Sequence, residues 1–396
     1  MSTSTSSTDN PEVVENVTAG LPPASDLLLL VTEDEQALRD SLRSLLAARC
    51  TPDRVAALYD GDDSAREPLW RSVAVDLGLA GLLVPEDRGG AGGSARDAAV
   101  VLAELGRVVA PVPFLTSSVL AATALLSAPD DLVARLASGE STAALLVPLT
   151  ASATSFVPIV RAETGGLTGQ VPVVAGALEA DLLVVPVRTD GGVELHVVEA
   201  DAAGVTVGPV VSLDMSRPVA DVVLDRVASQ AVVGAGDGDT AVRRALLLGA
   251  ALLASEQVGV AERCLEDTVA YLKQRRQFGR VLAGYQALKH RLADLYIEVE
   301  SARAAAQYAA AAAAADDPDL PLAAEVAQAY CSAVAVRAAE ECVQLHGGIG
   351  MTWEHPAHLL LKRAKVDQLA FGSTGEHLAR LGELVGLPAG AGAAAG

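Results

Sequence analysis

The spacing of apolar residues changes twice along the chain and divides it into three regions. In the first region, apolar residues recur every three or four positions in QALRDSLRSLLAARC (36–50) and in ARDAAVVLAELGRVV (95–109). This spacing places them on one face of a helix. Thr32, which is followed by three acidic residues, is typical of a helix N-cap. We therefore expect an N-terminal helical domain over residues 31–140, interrupted by a Gly-rich turn at residues 78–93.

The second region consists of short apolar runs bounded by turn-forming residues. Runs such as DLLVVPV and VADVVLD are separated by Gly, Pro and Asp between residues 141 and 230. Such runs predict β-strands, so we expect a middle, barrel-like β domain here. The stretch VVGAGDGDT (232–240) follows it. This stretch lacks the third glycine of a GxGxxG loop and carries aspartates where a pyrophosphate would lie, so it is interpreted as a linker.

Helical spacing returns in the third region, residues 237–387. It predicts a C-terminal four-helix bundle, because long helices with short joints pack antiparallel. The expected helices span residues 241–276, 284–315, 322–345 and 374–386. The predicted fold class is therefore mostly α with a central β domain. The Ser-, Thr- and Pro-rich residues 1–30 are expected to form a disordered tail, and residues 388–396 a flexible one.

Composition and charge restrict the function. The chain has 29 Lys and Arg against 50 Asp and Glu, a net charge of −21, which repels phosphate backbones and argues against nucleic acid as a partner. The polar N-terminal residues do not resemble a signal peptide, and no uninterrupted apolar run predicts a membrane span. Four cysteines without metal-ligand spacing predict buried thiols, no metal site and a cytoplasmic location. They are Cys50, Cys264, Cys331 and Cys342.

Against this acidic background, the segment YLKQRRQFGR (271–280) is strongly cationic. Two interpretations are open. Cations in the last turn of a helix are stabilised by the helix dipole. Alternatively, guanidinium groups grip phosphate while Phe278 packs against a ring, which suits an anionic, ring-bearing ligand such as a dinucleotide. On the helix expected after the Phe278–Gly279 break, three polar residues recur every four positions and share a face. They are Gln286, His290 and Asp294.

A glycine pair, Gly347–Gly348, follows the third helix of the predicted bundle. Such a pair is typical of a helix C-cap. Preceded by Gln344, the same pair also lets the backbone come close to a ligand. By itself this motif leaves both interpretations open.

Three segments together resemble the acyl-CoA dehydrogenase family: YLKQRRQFGRVLAGYQALKHRLADL, QLHGGIGMTWEHPAHLLLKRAKVDQ and GLAGLLVPEDRGGAGGSARDAAVVLAELGR. The resemblance extends from about residue 33 to residue 387 and implies FAD as cofactor, bound between the β domain and the C-terminal bundle. In that family the Arg-x-x-Phe-Gly corner reaches the FAD of a partner subunit. The cofactor-binding positions that the resemblance implies are Arg275, Gln277, Phe278, Gln286, Gln344, Gly347, Gly348 and Thr374.

The resemblance also implies a reaction, the α,β-dehydrogenation of an acyl-CoA thioester. A carboxylate removes the α-proton while the β-hydride passes to the flavin, and a carboxylate can do this only where desolvation raises its pKa. The implied partners are electron-transfer flavoprotein or a similar acceptor, and further subunits in a homo-oligomer or a heteromer with a paralogue. Some actinobacterial-type relatives, which are more similar to this chain, work as one half of a two-gene heteromer.

The sequence departs from the family at the base. The family's usual Glu corresponds to Gly372, and a second family location for the base corresponds to Gly249. LVPLTASATSF (146–156) and VPVVAGALEAD (171–181) also stand in place of the family's flavin-facing segments. These losses put the substrate and flavin-ring contacts of this chain in question.

The carboxylate nearest to Gly372 is Glu376, the candidate for a displaced base, although acids are also common in the first turn of a helix. Glu256 and Glu354 are expected to be structural. The leading hypothesis is an FAD-dependent acyl-CoA dehydrogenase, either self-sufficient or one subunit of a heteromer whose partner supplies the base. The alternatives are a non-catalytic partner subunit of an active paralogue, and a flavin oxidase or monooxygenase on the same scaffold.

Overall fold

The structure, a computed structural model, describes residues 27–387. Most of the predicted tail at residues 1–30 and the whole of that at 388–396 therefore lie outside the described residues. Within the described range, an N-terminal helical domain is followed by a central β-sheet and a C-terminal helical domain. This order confirms the predicted fold class.

The N-terminal domain begins at a capping box. The Thr32 hydroxyl accepts a hydrogen bond from the Glu35 N–H, and the Glu35 carboxylate accepts one from the Thr32 N–H, which fixes the start of the first helix. A π-helical segment, Phe114–Ala121, is buried at every position, and Ser72–Asp76 is also π-helical. The α-helices are α1 (Glu33–Arg49), α2 (Pro52–Ala57), α3 (Arg66–Arg71), α4 (Ala95–Arg107) and α5 (Asp130–Ala137), and a short turn of helix covers Ala122–Ala124.

The central domain is an eight-stranded, mostly antiparallel sheet in the order β6-β7-β3-β2-β4-β5-β8, with β1 pairing in parallel with β4. Along β4, Leu182 and Val184 belong to the large helical core, whereas Leu183, Val185 and Val187 belong to a second core of the sheet's own. Both faces are therefore buried. The strands are β1 (Ala143–Leu145), β2 (Val160–Glu163), β3 (Gly166–Ala175), β4 (Leu182–Thr189), β5 (Gly192–Glu199), β6 (Val205–Val210), β7 (Val219–Val227) and β8 (Ala231–Val233).

The C-terminal domain contains five helices over the described residues, one more than the four expected. The additional helix is α9, in which Arg363 and Asp367 are fully buried and so mask the usual apolar pattern. One helix, α6, is long and apolar enough to cross a bilayer, but 83% of its most apolar window is buried by the other elements, as in a core helix. The helices are α6 (Gly238–Gln274), α7 (Gln286–Ala314), α8 (Leu320–His346), α9 (Ala357–Asp367) and α10 (Thr374–Leu384).

Candidate functional site

The cationic segment forms an exposed hairpin between α6 and α7. Arg276–Gln277 pairs antiparallel with Arg280–Val281, and the turn between them is made by Phe278 and Gly279. Phe278 has a φ of 50°, a left-handed conformation that is strained for a bulky residue. Its side chain is 88% exposed. The structure thus presents a free aromatic ring at the tip of the corner.

The cations of this hairpin are available to a ligand. None of the ion pairs formed by residues 27–387 includes Lys273, Arg275 or Arg276, and all three side chains are exposed. Arg280 lies 3.7 Å from the centre of the Tyr285 ring and makes a cation–π contact instead of an ion pair. Exposed guanidinium groups without ion pairs among the described residues meet one requirement of a phosphate-binding corner.

The polar stripe on α7 begins shortly after the hairpin. α7 begins at Gln286, and the side chains of Gln286, His290 and Asp294 are all exposed. The Gln277 backbone oxygen accepts a hydrogen bond of 3.4 Å from the Tyr285 hydroxyl, which ties the hairpin to the start of the helix. The Gln286 end of the stripe therefore lies beside the hairpin.

The glycine turn after α8 lies against the same region. Gly347 has a φ of 66°, and a Cβ on Gly347 or Gly348 would meet no atom within 4 Å, so the backbone there is open to a ligand. The His346 ring stacks on Tyr271 of α6 at 4.4 Å and on His355 at 4.2 Å. This stack joins the end of α8, which carries exposed Gln344, to the end of α6, which carries the hairpin.

Thr374 is separated from the other cofactor-binding candidates. Its hydroxyl lies 3.3 Å from the Ser332 hydroxyl on α8. Ser332 lies about 18 Å from Gln344 along the axis of α8, at 1.5 Å per residue. The structure therefore brings together the hairpin and the glycine turn, but places Thr374 at a different level of the bundle.

The turn between α9 and α10 is tightly packed. Phe371 is 2% exposed and has a φ of 61°, and its N–H donates to the Leu149 carbonyl at 2.9 Å. A Cβ on Gly249 of α6 would lie 2.8 Å from the Phe371 ring and 2.5 Å from a Leu120 methyl group. Gly249 and this turn are the two positions singled out in the sequence, and the structure brings them together. The space between them is filled by the side chains of Phe371 and Leu120.

Gly372 itself lies beside His377 and Glu376. A Cβ on residue 372 would lie 3.4 Å from the His377 Nε2 atom and 3.7 Å from a Glu376 carboxylate oxygen. Its φ of 119° is open only to glycine without strain. The side chain of the turn that meets Gly249 is therefore that of Phe371, which the sequence did not single out.

Glu376 lies at the start of α10 in a capping box. Its carboxylate accepts hydrogen bonds from the Ser373 N–H at 2.7 Å and the Ser373 hydroxyl at 2.8 Å, and these lower the pKa of Glu376. The side chain is exposed, so it lacks the burial that would raise its pKa. Glu354 is also exposed, and hydrogen bonds with its own N–H and with Thr352 lower its pKa.

Glu256 belongs to a buried ionic network that the sequence did not reveal. Its carboxylate accepts hydrogen bonds from Arg217 at 2.7 and 2.8 Å and from Arg363 at 2.5 Å. Arg363 also binds Asp214, and Arg217 also binds Asp367. Burial, followed by the charge of Glu256, raises the pKa of Asp367 to about 8. The network ties α6, α9 and the β6–β7 loop together, so the expected structural role of Glu256 fits its contacts.

The four cysteines are buried free thiols. Cys342 Sγ lies 3.6 Å from His346 Nδ1, one helical turn away. A hydrogen bond from Cys264, followed by one from His346, lowers the pKa of Cys342 to about 5 although burial opposes this. In the sequence, the four-residue spacing of Cys342 and His346 was the available signal for this interaction. Without Cys264 of the neighbouring helix, that spacing does not indicate an interacting pair.

Known proteins resemble this chain over most of its length. The acyl-CoA dehydrogenase N-terminal domain matches residues 32–140, and the C-terminal domain of the same family matches residues 236–385. The acyl-CoA dehydrogenase IpdE2 of Mycobacterium tuberculosis is 36% identical over 88% of this chain and 96% of its own length.

Two solved structures have the same fold. One is the ChsE4-ChsE5 complex from Mycobacterium tuberculosis, with a TM-score of 0.80 and 29% identity over 92% of this chain and 100% of that chain. The other is a variant of the Tcur3481-Tcur3483 steroid ACAD, with a TM-score of 0.78 and 30% identity over 89% of this chain and 98% of that chain. Both consist of two different subunits by name.

Proposed function

The chain belongs to the acyl-CoA dehydrogenase family, and from this premise we propose that it is one subunit of a heteromeric, FAD-dependent acyl-CoA dehydrogenase. Its hairpin and glycine turn bind FAD at a subunit contact, and a paralogous subunit supplies the carboxylate that removes the α-proton. Electrons leave to electron-transfer flavoprotein or a similar acceptor. The similarity to two-subunit complexes supports a heteromer over a homo-oligomer.

The observation that carries this proposal is the filled space beside Gly249. Gly372 and Gly249 correspond to the family's two locations for the base and carry no carboxylate, and the place of a side chain on Gly249 is taken by another side chain. That side chain is the Phe371 ring, with Leu120 beside it. A phenyl ring cannot take a proton, and neither Gly249 nor Gly372 offers a carboxylate.

The alternative of a displaced base within this chain has little support. Glu376 is exposed and its pKa is lowered, whereas a general base for this reaction requires a dry site and a raised pKa. Glu256 is held by two arginines, which lower its pKa although burial opposes them. These contacts favour a base in the partner subunit.

The residues of the hairpin and glycine turn fit FAD. The unpaired side chains of Arg275 and Arg276 suit a pyrophosphate, Phe278 offers a free ring, and the open backbone at Gly347–Gly348 lets a large ligand approach. When bound, FAD supplies the acceptor of the β-hydride. The separation of Thr374 from this group supports a cofactor site shared between subunits, because one chain presents its candidates at two levels of the bundle.

We assign the substrate to the class of acyl-CoA thioesters with a bulky, steroid-type acyl group. Support comes from the Tcur3481-Tcur3483 relative, which is a steroid ACAD by its name. If a second subunit holds the reacting carbon, most of a bulky acyl group lies outside the packed turn between α9 and α10 of this chain.

The test is coexpression of the chain with the paralogue encoded nearest to it, and separate expression of each. We expect the complex to hold FAD and to lose its flavin absorbance anaerobically when steroid acyl-CoA is added. The chain alone, reconstituted with FAD, is expected to show no bleaching. Bleaching by the chain alone would overturn the proposal. Replacement of Phe371 by Ala in the complex provides a matched control, because it opens this chain's turn without adding a base.

A further inference from the structure

A cavity of about 430 Å³ lies where the N-terminal domain meets the C-terminal bundle. Its walls come from α1, α4, α6 and α7, and Leu28 and Leu29 form one edge. Small side chains leave this space open, because an alanine fills little of the gap between packed helices. They are Ala99 and Ala103 of α4 and Ala306 and Ala310 of α7. The volume is within the range of small-molecule sites, about 300–1,000 Å³.

This cavity is separate from the hairpin and from the packed turn between α9 and α10. Ser255, which lines it on α6, lies about 29 Å from Gln274 at the end of that helix, at 1.5 Å per residue. Gly249 is on a different face of α6, because the six residues between the two positions turn the helix by about 240° beyond one full turn. The side chains that pack against Gly249, those of Leu120 and Phe371, do not line the cavity.

The Ser255 hydroxyl is a polar group of the cavity wall without a partner. Serine and threonine inside a helix commonly bond the carbonyl four residues earlier, as Ser301 and Thr268 do at 2.8 and 2.6 Å. The Ser255 hydroxyl makes neither this bond nor any other with residues 27–387. The residue is 6% exposed, and its unpaired oxygen keeps contact with solvent. Since Ser255 lines the cavity, a molecule in the cavity can reach this oxygen.

Arg39 of α1 adds an incompletely paired cation to the cavity wall. The Glu104 carboxylate accepts hydrogen bonds from Arg43 with both of its oxygens, at 2.8 and 2.6 Å. Arg39 lies 3.7 Å from the same carboxylate, too far for a hydrogen bond, and among residues 27–387 its side chain donates only to the Gln36 amide oxygen, at 3.2 Å. A guanidinium has five N–H donors, so most of those of Arg39 are free for an anion. The side chain is 25% exposed.

We propose that this cavity binds an amphipathic monocarboxylate whose apolar body carries a second oxygen. The apolar body lies on the alanines and covers Leu28 and Leu29, which are 59% and 47% exposed. The carboxylate accepts charge-assisted hydrogen bonds from Arg39, and the second oxygen pairs with the Ser255 hydroxyl. The lining has four arginines against three glutamates, so it carries one positive charge in excess in a chain of net charge −21. This site does not depend on the proposed function, because it shares no residue with the hairpin, the glycine turn or the packed turn.

The experiment titrates ω-hydroxydodecanoate, below its micelle-forming concentration, into the full chain and into the coexpressed complex by calorimetry. Dodecanoate, which lacks the hydroxyl, and dodecanediol, which lacks the charge, are the matched ligands. Arg39→Gln removes the cation, and Arg49→Gln on the same helix is its control, because Arg49 does not line the cavity. Ser255→Ala removes the hydroxyl. Ala103→Leu fills the cavity, and Ala304→Leu at an exposed position of α7 is its control. Thermal unfolding of each variant is recorded alongside.

We expect saturable binding of the hydroxy acid by the parent chain and by the complex. Arg39→Gln should raise its dissociation constant about tenfold or more, the loss of a charge-assisted hydrogen bond, and should leave dodecanediol binding unchanged. Ser255→Ala should weaken binding of the hydroxy acid but not of dodecanoate, and Ala103→Leu should weaken all three ligands. The two control variants should bind like the parent.

Three results would overturn the inference. The first is the absence of saturable binding by the parent chain or the complex. The second is binding that Arg39→Gln and Ala103→Leu leave unchanged, which would place the ligand elsewhere. The third is binding that appears only after removal of residues 1–26, which would make the cavity the binding site of that segment. If Ala103→Leu does not fold, Arg39→Gln decides alone, because it alters a partly exposed side chain.

Discussion

The hairpin at the end of α6 is the region proposed to contact FAD, and the turn between α9 and α10 is the region that corresponds to the family's base. The two are packed in opposite ways. The hairpin is exposed, cationic and without ion pairs among the described residues. The turn is buried, and Phe371 and Leu120 fill the space beside Gly249. The difference supports the proposal that this chain contributes cofactor contacts while a partner subunit supplies the base.

The largest expected effect is on the free energy of unfolding. It distinguishes the buried ionic network beneath the turn from the exposed hairpin. Arg363→Met leaves Asp214 and Glu256 buried with fewer partners, so it should lower the free energy of unfolding by about 3–5 kcal/mol. Arg276→Met in the hairpin should change it by no more than about 0.5 kcal/mol, because the side chain is exposed and unpaired. Urea unfolding of both variants checks this. Equal effects would mean that the two regions are not packed differently.

The next effect concerns cofactor affinity. A charge-assisted hydrogen bond contributes about 1.5–3 kcal/mol, so Arg275→Ala should weaken FAD binding by the complex roughly tenfold to more than a hundredfold. Phe371→Ala, which alters the other region, should change FAD affinity much less. Flavin fluorescence during titration measures both. Full retention of FAD by Arg275→Ala would leave the hairpin as a solvated helix corner.

A pH effect is expected from the network beneath the turn. The pKa of Asp367 is raised to about 8 in the folded chain, above its ordinary value of 3.8, so the folded state binds the proton more tightly. This contribution to stability is complete below pH 3.8 and is lost as the pH rises to about 8.

Between these values the free energy of unfolding should fall by up to about 1.4 kcal/mol per pH unit from this group. Urea unfolding at pH 5, 6, 7 and 8 should show the slope in the parent and a shallower one in Asp367→Asn. Identical slopes would mean that Asp367 is ionised in the folded chain.

The sequence predicted the elements whose apolar residues follow one period. The helices α1, α4, α6, α7, α8 and α10 lie where the spacing placed them, because local periodicity reflects a single buried face. The helix α9 was missed, since its buried Arg363 and Asp367 look like surface residues until their partners on α6 and the β6–β7 loop are known.

The candidate site, too, could be predicted from the sequence only where its features are local. The charge of the hairpin and the glycines of the turn after α8 could be found in the sequence, because both are local features. The hairpin geometry, with Phe278 at a φ of 50°, could not. The packing of Phe371 against Gly249 and Leu120 is a contact between distant segments. No local pattern contains it, so the sequence could not show that Phe371 packs against α6.

The smallest expected effect on stability is that of Glu376→Gln. The same variant tests directly whether the base lies on this chain. Glutamine can also accept from Ser373 in a capping box, so Glu376→Gln should lower the free energy of unfolding by less than about 1 kcal/mol. If the base lies in the partner subunit, the variant complex should bleach its flavin with acyl-CoA as fast as the parent, because an exposed helix-start acid does not touch the reacting carbon. Stopped-flow absorbance of the anaerobic complex measures this rate. Retained FAD with a rate reduced by several orders of magnitude would place the base on this chain, and the packed turn would then have to open during turnover.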